Sequence, residues 1–331
     1  MQIDFITVLI AVVSLIVLAI PGFLLAKFKM LPEKAVDALS TIVLYGCQPV
    51  MVFMSFQEGY RPDIALNILY VALLTLVIHA LMYLIIALVV RNKDNDVKKK
   101  SVKYASLFSN CGYMGLPFLS AVFSSADIGG EIIIYAATVI AVFNVFNWTL
   151  GVYIMTGDKK DMSLRKILLN PTIISIVLGA LYFFIVRTPF VELVEKGTVL
   201  GSFVYKINDS LNIIGDMVTP LALTVIGIRL ANVSLKKLFL DKDAYVVSLL
   251  KLVVMSVLTM LVVAFLPVDN IVKYVMFFLL SMPSATSTSM FAVSFKGDAD
   301  SASVFVLLTT LLSVITIPIM YLLMSGVFVP M

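Results

Sequence analysis

Apolar residues recur along this chain in runs of about 20, the length an α-helix needs to cross the hydrocarbon core of a bilayer. The pattern predicts ten spans, at 4–26, 36–57, 64–90, 102–123, 128–155, 170–187, 207–230, 244–266, 272–295 and 300–328. Spans four and nine are the least apolar, and each is interrupted. Span four carries Ser109 to Ser120 (SNCGYMGLPFLS) and span nine carries Ser281 to Ser289 (SMPSATSTS), with Gly, Pro and small polar residues inside apolar sequence. A helix broken at membrane depth leaves peptide groups without partners, a heavy cost unless protein or a polar cavity covers the break. The two breaks are therefore the first place to look for a binding site. The expected fold class is an all-α polytopic membrane protein.

Composition agrees. With 61% hydrophobic residues, 13% charged residues and a mean hydropathy of +1.07, the chain leaves no room for a soluble domain. Its longest polar stretches, Arg91 to Lys103 and Gly157 to Lys166, are loop-sized. The first 28 residues lack the basic start and small-residue cleavage pattern of a signal peptide and read as the first span. Charge then sets the orientation. With the N-terminus outside, the cytoplasmic connections carry Lys27, Lys29 and Lys34; Arg91, Lys93, Lys98, Lys99, Lys100 and Lys103; Lys159, Lys160, Arg165 and Lys166; Arg229, Lys236, Lys237 and Lys242; and Lys296. Only Arg61, Arg187, Lys196, Lys206 and Lys273 fall outside, and Lys251 is left within span eight. The bias predicts a multi-pass protein of the plasma membrane with both termini extracytoplasmic. It also accounts for the net charge of +4, so lipid and not nucleic acid is the expected environment.

Prolines suggest duplication. Pro49 and Pro220 are 171 residues apart, and Pro117 and Pro283 are 166 apart. Five spans per half is an odd number, so the second half must be inverted, giving a first repeat at 1–156, a short linker at 157–169 and a second repeat at 170–331. In such an architecture, half-helices meeting near the midplane present free N–H groups and partial positive charge to an anion.

Three segments, Asn110-Cys-Gly-Tyr-Met-Gly-Leu-Pro117, Met282-Pro-Ser-Ala-Thr286, and Thr219-Pro-Leu-Ala-Leu followed by Gly227, resemble the auxin efflux carrier family, including its bacterial malate or malonate permease-like members. The resemblance covers essentially the whole chain. It implies a ten-helix inverted repeat with a scaffold domain and a transport domain, the latter built around crossing helices four and nine. It further implies secondary transport of small organic anions such as malate, elevator-like movement and a homodimer. The long loop of plant members is missing here, which makes the short bacterial form the nearer match.

The residues themselves support two readings at each position. Gly112 and Gly115 admit close approaches that a Cβ hinders, and Pro117 removes a donor and obstructs the preceding turn. Asn110 can offer its amide to a substrate or to the opened backbone; the alternative is a simple kink, with Asn110 joining two helices. Beyond Pro283, the hydroxyl run Ser284, Thr286, Ser287, Thr288 and Ser289 suits a carboxylate or a small cation, although single hydroxyls in membrane helices often bond back to the preceding turn. So dense a run favours a lined cavity, with Ser284, Thr286 and Ser287 nearest the substrate. Asn144 and Asn147 share a helical face, where they contact substrate or fasten span five, and are expected to share a polar neighbour. Asp216 and His79 are the coupling candidates, for H+ or Na+; the alternatives are a buried structural carboxyl and a neutral, hydrogen-bonded imidazole. Lys251 is expected to snorkel to the interface, with anion binding as its alternative. No span offers a well-placed Arg, so helix dipoles must carry much of the anion recognition.

Other classes fit poorly. A single His and two Cys supply no zinc site, and no HExxH or P-loop is present, which argues against an enzyme, an ATP-driven pump and any cofactor other than a coupling ion. A channel would spread polar residues along a pore, whereas here they concentrate at the breaks. A membrane sensor would normally bring a signalling domain. A sodium-coupled symporter of the bile-acid-transporter type remains an alternative, but acidic ligands at the breaks are missing, which favours proton-coupled or uncoupled transport.

Overall fold

The structure, a computed structural model, describes residues 3, 5–32, 34–57, 60–91, 96–123, 129–162, 165, 168–232 and 235–325. Lys93 and Lys166, the side chains of Lys236 and Lys237, and both chain ends, all used above for orientation, lie outside what is described.

The main helices in chain order are α1 (Phe5–Lys27), α2 (Ala35–Ser55), α3 (Pro62–Val89), α4 (Val97–Leu107), α5 (Cys111–Val122), α6 (Gly130–Thr156), α7 (Pro171–Ile185), α8 (Val199–Ala231), α9 (Lys242–Ala264), α10 (Asn270–Ser281), α11 (Ser287–Ser294) and α12 (Ala299–Leu323). Seven of them, α1, α2, α3, α6, α8, α9 and α12, are long and apolar enough to cross a membrane, and α5, α7 and α10 are apolar but shorter. Among the described residues there is no sheet, only one isolated antiparallel bridge. The predicted spans four and nine are thus each a pair of short helices, α4–α5 and α10–α11, interrupted where the Gly and Pro residues fall.

Local chemistry sets the ends. Asp96 accepts from the Lys98 and Lys99 N–H groups at 3.0 and 3.3 Å, so α4 begins inside the stretch that the sequence suggested was loop. Thr198 caps Gly201 at 2.9 Å and starts α8 well before position 207. Asn170 caps α7 with Pro171 in its first turn, and Gly157, at φ +82°, closes α6 in the left-handed conformation that glycine tolerates best.

The packing falls into two groups. Gly22 of α1 and Gly227 of α8 bring the two backbones directly together, leaving no room for a Cβ at either position. Helix α2 packs on α7 and α8, while α3, α6, α9 and α12 gather around the interrupted helices. An apolar void of about 210 Å³, lined by Val12, Leu15, Met114 and Leu223 among others, lies in the seam between the groups. At one end a polar network ties α3, α6 and α10 together: Arg61 pairs with Glu131, Tyr135 donates to Glu131, and Asn67 reaches Tyr135 at 3.0 Å and Asp269 at 2.6 Å.

Four described segments are wound more widely than an α-helix, with i→i+5 hydrogen bonding: Ile42–Cys47, Cys111–Gly115, Asn147–Gly151 and Leu249–Val254. Such turns insert an extra residue and often mark functional positions. Here they adjoin Gln48, follow Asn110, and contain Asn147 and Lys251.

Candidate functional site

The two interruptions meet. Ser109 and Ser284 pair as an antiparallel bridge, in which the Asn110 N–H donates to the Pro283 carbonyl at 2.8 Å and the Ala285 N–H donates to the Phe108 carbonyl at 2.9 Å. Peptide groups that neither helix can satisfy internally are satisfied by the other. Side chains complete the arrangement: the Ser284 N–H donates to Thr309 Oγ1 of α12 at 3.1 Å, Ser284 Oγ to the Ala105 carbonyl at 2.8 Å, and Ser109 Oγ to the Leu280 carbonyl at 3.0 Å. All of these groups are buried. The C-terminal ends of α4 and α10 and the N-terminal ends of α5 and α11 therefore converge on a few residues, and the helix N-termini provide an electropositive environment there.

Around this crossing the sequence candidates separate. Asn110 is 3% exposed and its Nδ2 has no hydrogen-bond partner, so a donor is held ready at the break. Gly112 faces the amide of Gln48 on α2; a Cβ there would lie 3.4 Å from Gln48 Nε2. Gly115 lets α5 close onto Leu279 and Met282, and Pro117 opens the α-helical part of α5 beyond the wide turn. Ser287 Oγ and Asn147 Oδ1 both bond to the buried Tyr104 hydroxyl, which gathers α4, α6 and α11 beside the crossing. Thr286 is buried, and its hydroxyl makes no hydrogen bond among the described residues. Thr288 bonds back to the Ala285 carbonyl, as isolated hydroxyls do, and Ser289 accepts from Ser303 at 3.2 Å.

Others are not drawn in. Asn144 turns its amide to its own helix at the Ile140 carbonyl, 2.9 Å away, so it and Asn147 do not share a polar neighbour. The wide turn that begins at Asn147 alters the helical geometry beyond it, and the spacing of the two residues does not reveal this. Asp216 is exposed on α8, beside Gly215, which packs on Met51 of α2. His79 is fully buried, stacked on Phe146 with Nδ1–H donating to the Thr75 carbonyl at 2.8 Å, and its Nε2 has no partner. One expectation is overturned: Lys251 does not snorkel. It is 0% exposed, and its Nζ donates to Ser109 Oγ and, at 2.8 Å, to the Leu280 carbonyl. The partners that hold it inward belong to other helices, which its own segment does not reveal.

Sequence reasoning missed Gln48, Tyr104, Ser109 and Thr309. Gln48 had a signal, since an amide next to Pro49 inside an apolar span is itself unusual; the other three acquire a role only from helices that approach in space. A cavity of about 490 Å³ with a mixed lining, which includes Lys34, Asp37, Arg229 and Ser303 beside Val36 and Leu307, lies next to the Lys34 turn and reaches Ser289 at the far end of the hydroxyl run.

A family model described as "Membrane transport protein" matches residues 7–321. An uncharacterized transporter of Methanocaldococcus jannaschii is 23% identical over 314 residues, an alignment covering 92% of this chain and 95% of the relative.

Proposed function

We propose that this chain, which belongs to the membrane transport protein family, the family of the auxin efflux carriers, is a secondary transporter of small organic anions. Malate, or another dicarboxylate, is the leading substrate, and the site is the crossing of α4–α5 with α10–α11. The observation that carries the reading is the paired interruption: two helices open where they cross, satisfy each other's peptide groups, and leave the Asn110 amide without a partner. Helix N-termini and hydroxyls at such a point replace part of the hydration an anion loses.

Asn110, Gly112, Gly115, Pro117, Pro283, Ser284, Thr286 and Ser287 form the substrate region in this reading, with Asn147 positioned through Tyr104. The seven long helices and three shorter apolar ones together support a ten-span inverted repeat, with halves at 1–156 and 170–331. The division of the packing into two groups, with an apolar void in the seam, supports alternating access in which the crossing helices move against α1, α2, α7 and α8. A homodimer and a plasma-membrane location with both termini outside complete the proposal. Coupling to H+ or Na+, or none, belongs to the same test.

Uptake of radiolabelled malate and a panel of other carboxylates into proteoliposomes, under imposed pH, Na+ and voltage gradients, provides that test. Saturable uptake that Pro117→Ala and Thr286→Ala both impair supports the site. Unimpaired uptake in both variants removes the site assignment, and failure of the folded parent to move any carboxylate rejects the substrate class.

A further inference from the structure

The crossing holds a buried lysine that the transport reading leaves unexplained. Lys251 is entirely buried, and its two hydrogen-bond acceptors, Ser109 Oγ and the Leu280 carbonyl, are both neutral. Among the described residues it forms no salt bridge, and the titratable side chains that act on it or feel its charge, Cys111 and His79, are not carboxylates. Such surroundings make the charged form of a lysine expensive unless a counter-charge is near, and inside a membrane protein such residues are kept for function. An anion bound at the crossing would supply that counter-charge.

Placement strengthens the point. Leu280 lies in the last turn of α10, where unsatisfied carbonyls carry partial negative charge. When protonated, the amine on that carbonyl offsets the negative end of one half-helix, which leaves the N-terminal ends of α5 and α11 the greater weight at the crossing. Ser109 links the ammonium to the bridge itself, one residue from the unpartnered Asn110 amide. The wide turn Leu249–Val254 contains Lys251 in the wall of the site. A carboxylate at Asn110 therefore lies near an amine whose charged form it favours, without touching it.

Resting on the anion-transport reading, we propose that Lys251 is the specificity-determining counter-charge of the crossover: acting through Ser109 and the α10 terminus, it makes the site select an anion over a neutral molecule of the same shape. It is a positioning and charge-setting residue, and Asn110 and the hydroxyls make the contacts.

The test compares malate with its uncharged diamide in purified, reconstituted protein carrying Lys251→Met, which keeps length without charge, and Lys251→Arg, which keeps charge. Loss of the charge should raise the KM for malate about thirtyfold, the size of a unit charge acting over several ångströms in a partly buried setting, while leaving inhibition by the diamide within about twofold. The Arg variant should recover most of the loss. A capping role alone would weaken both ligands together, and that outcome overturns the proposal, as does an unchanged malate KM in Lys251→Met. Should the Met variant fail to fold, Lys251→Gln, which keeps a donor for Ser109 and the Leu280 carbonyl without the charge, takes its place: a malate KM raised with the diamide unaffected supports the assignment, and an unchanged malate KM refutes it. A parent that transports none of the carboxylates instead fails the transport reading itself, whereas a parent that transports malate with a Lys251→Met KM like its own fails only the charge assignment.

Discussion

Thr309→Val isolates one bond of the crossing. Thr309 Oγ1 donates back to its own helix, at the Phe305 and Val306 carbonyls, and accepts from the Ser284 N–H at 3.1 Å. Valine keeps the shape and removes both interactions. Thr310, its neighbour on α12, has a hydroxyl that only bonds back, to the Val306 carbonyl at 2.7 Å, so Thr310→Val loses the back-bond alone. Both side chains are buried, at 0% and 8% exposure, and the difference between the two variants reports the Ser284 contact. Interhelical hydrogen bonds in membrane proteins average about 0.6 kcal/mol, because the unfolded chain in the membrane finds other partners. Ser284 differs from that average: its N–H lies in an extended break after Pro283, with no carbonyl of its own helix to return to. A buried donor left unsatisfied costs about 1–3 kcal/mol, so Thr309→Val should destabilise the protein by about 1–2 kcal/mol more than Thr310→Val. Equilibrium unfolding in mixed micelles with increasing SDS measures both. Equal costs for the two variants would refute the argument that the crossing depends on Thr309 to satisfy its backbone.

Three further outcomes follow from the packing. Gly227→Ala places a methyl against the Ala19 carbonyl of α1, and it should cost about 1–3 kcal/mol in thermal unfolding, whereas Gly46→Ala, which meets nothing within 4 Å, should leave the melting temperature unchanged. Tyr104→Phe removes the hydroxyl shared by Asn147 and Ser287; a loss of about 1–2 kcal/mol in the same unfolding assay is expected, and no loss would show that the hydroxyl does not tie those helices together. Lys98 and Lys99 reach Asp241 and Asp243 at 2.7–3.1 Å between the starts of α4 and α9, but Lys98 is about a third exposed, so replacing both lysines by alanine should cost under about 1 kcal/mol and remove part of the salt dependence of the melting temperature.

Much of the fold was legible because bilayer length and Gly/Pro chemistry are properties of a segment read by itself. The breaks at Ser109–Pro117 and Met282–Thr286 follow from which residues resist a helix, and that these two breaks meet is consistent with their shared rarity. Lys251 shows the limit. Its distance from the predicted membrane edge favoured snorkelling, yet the ends of α4 and α10 approach it and offer acceptors, and no pattern along span eight encodes that approach. Asn144 and Asn147 show another: both fit one face of a regular helix, but the wide turn beginning at Asn147 sends one amide to Tyr104 and leaves the other on its own backbone. Hydrophobic periodicity does not report a change of helical winding over a single turn.

The bridge between Ser109 and Ser284 also constrains how the protein is made. Span four is synthesised some 170 residues before the segment that satisfies its opened backbone, so a newly inserted first half holds an interrupted helix whose peptide groups face neither water nor a permanent partner. Until α10 and α11 arrive, that half depends on temporary shelter, at the insertion machinery or against its own neighbouring helices. Completion of the crossing is thus the step at which the membrane receives a finished molecule, and the early half-protein is the species that membrane quality control has the best physical grounds to recognise.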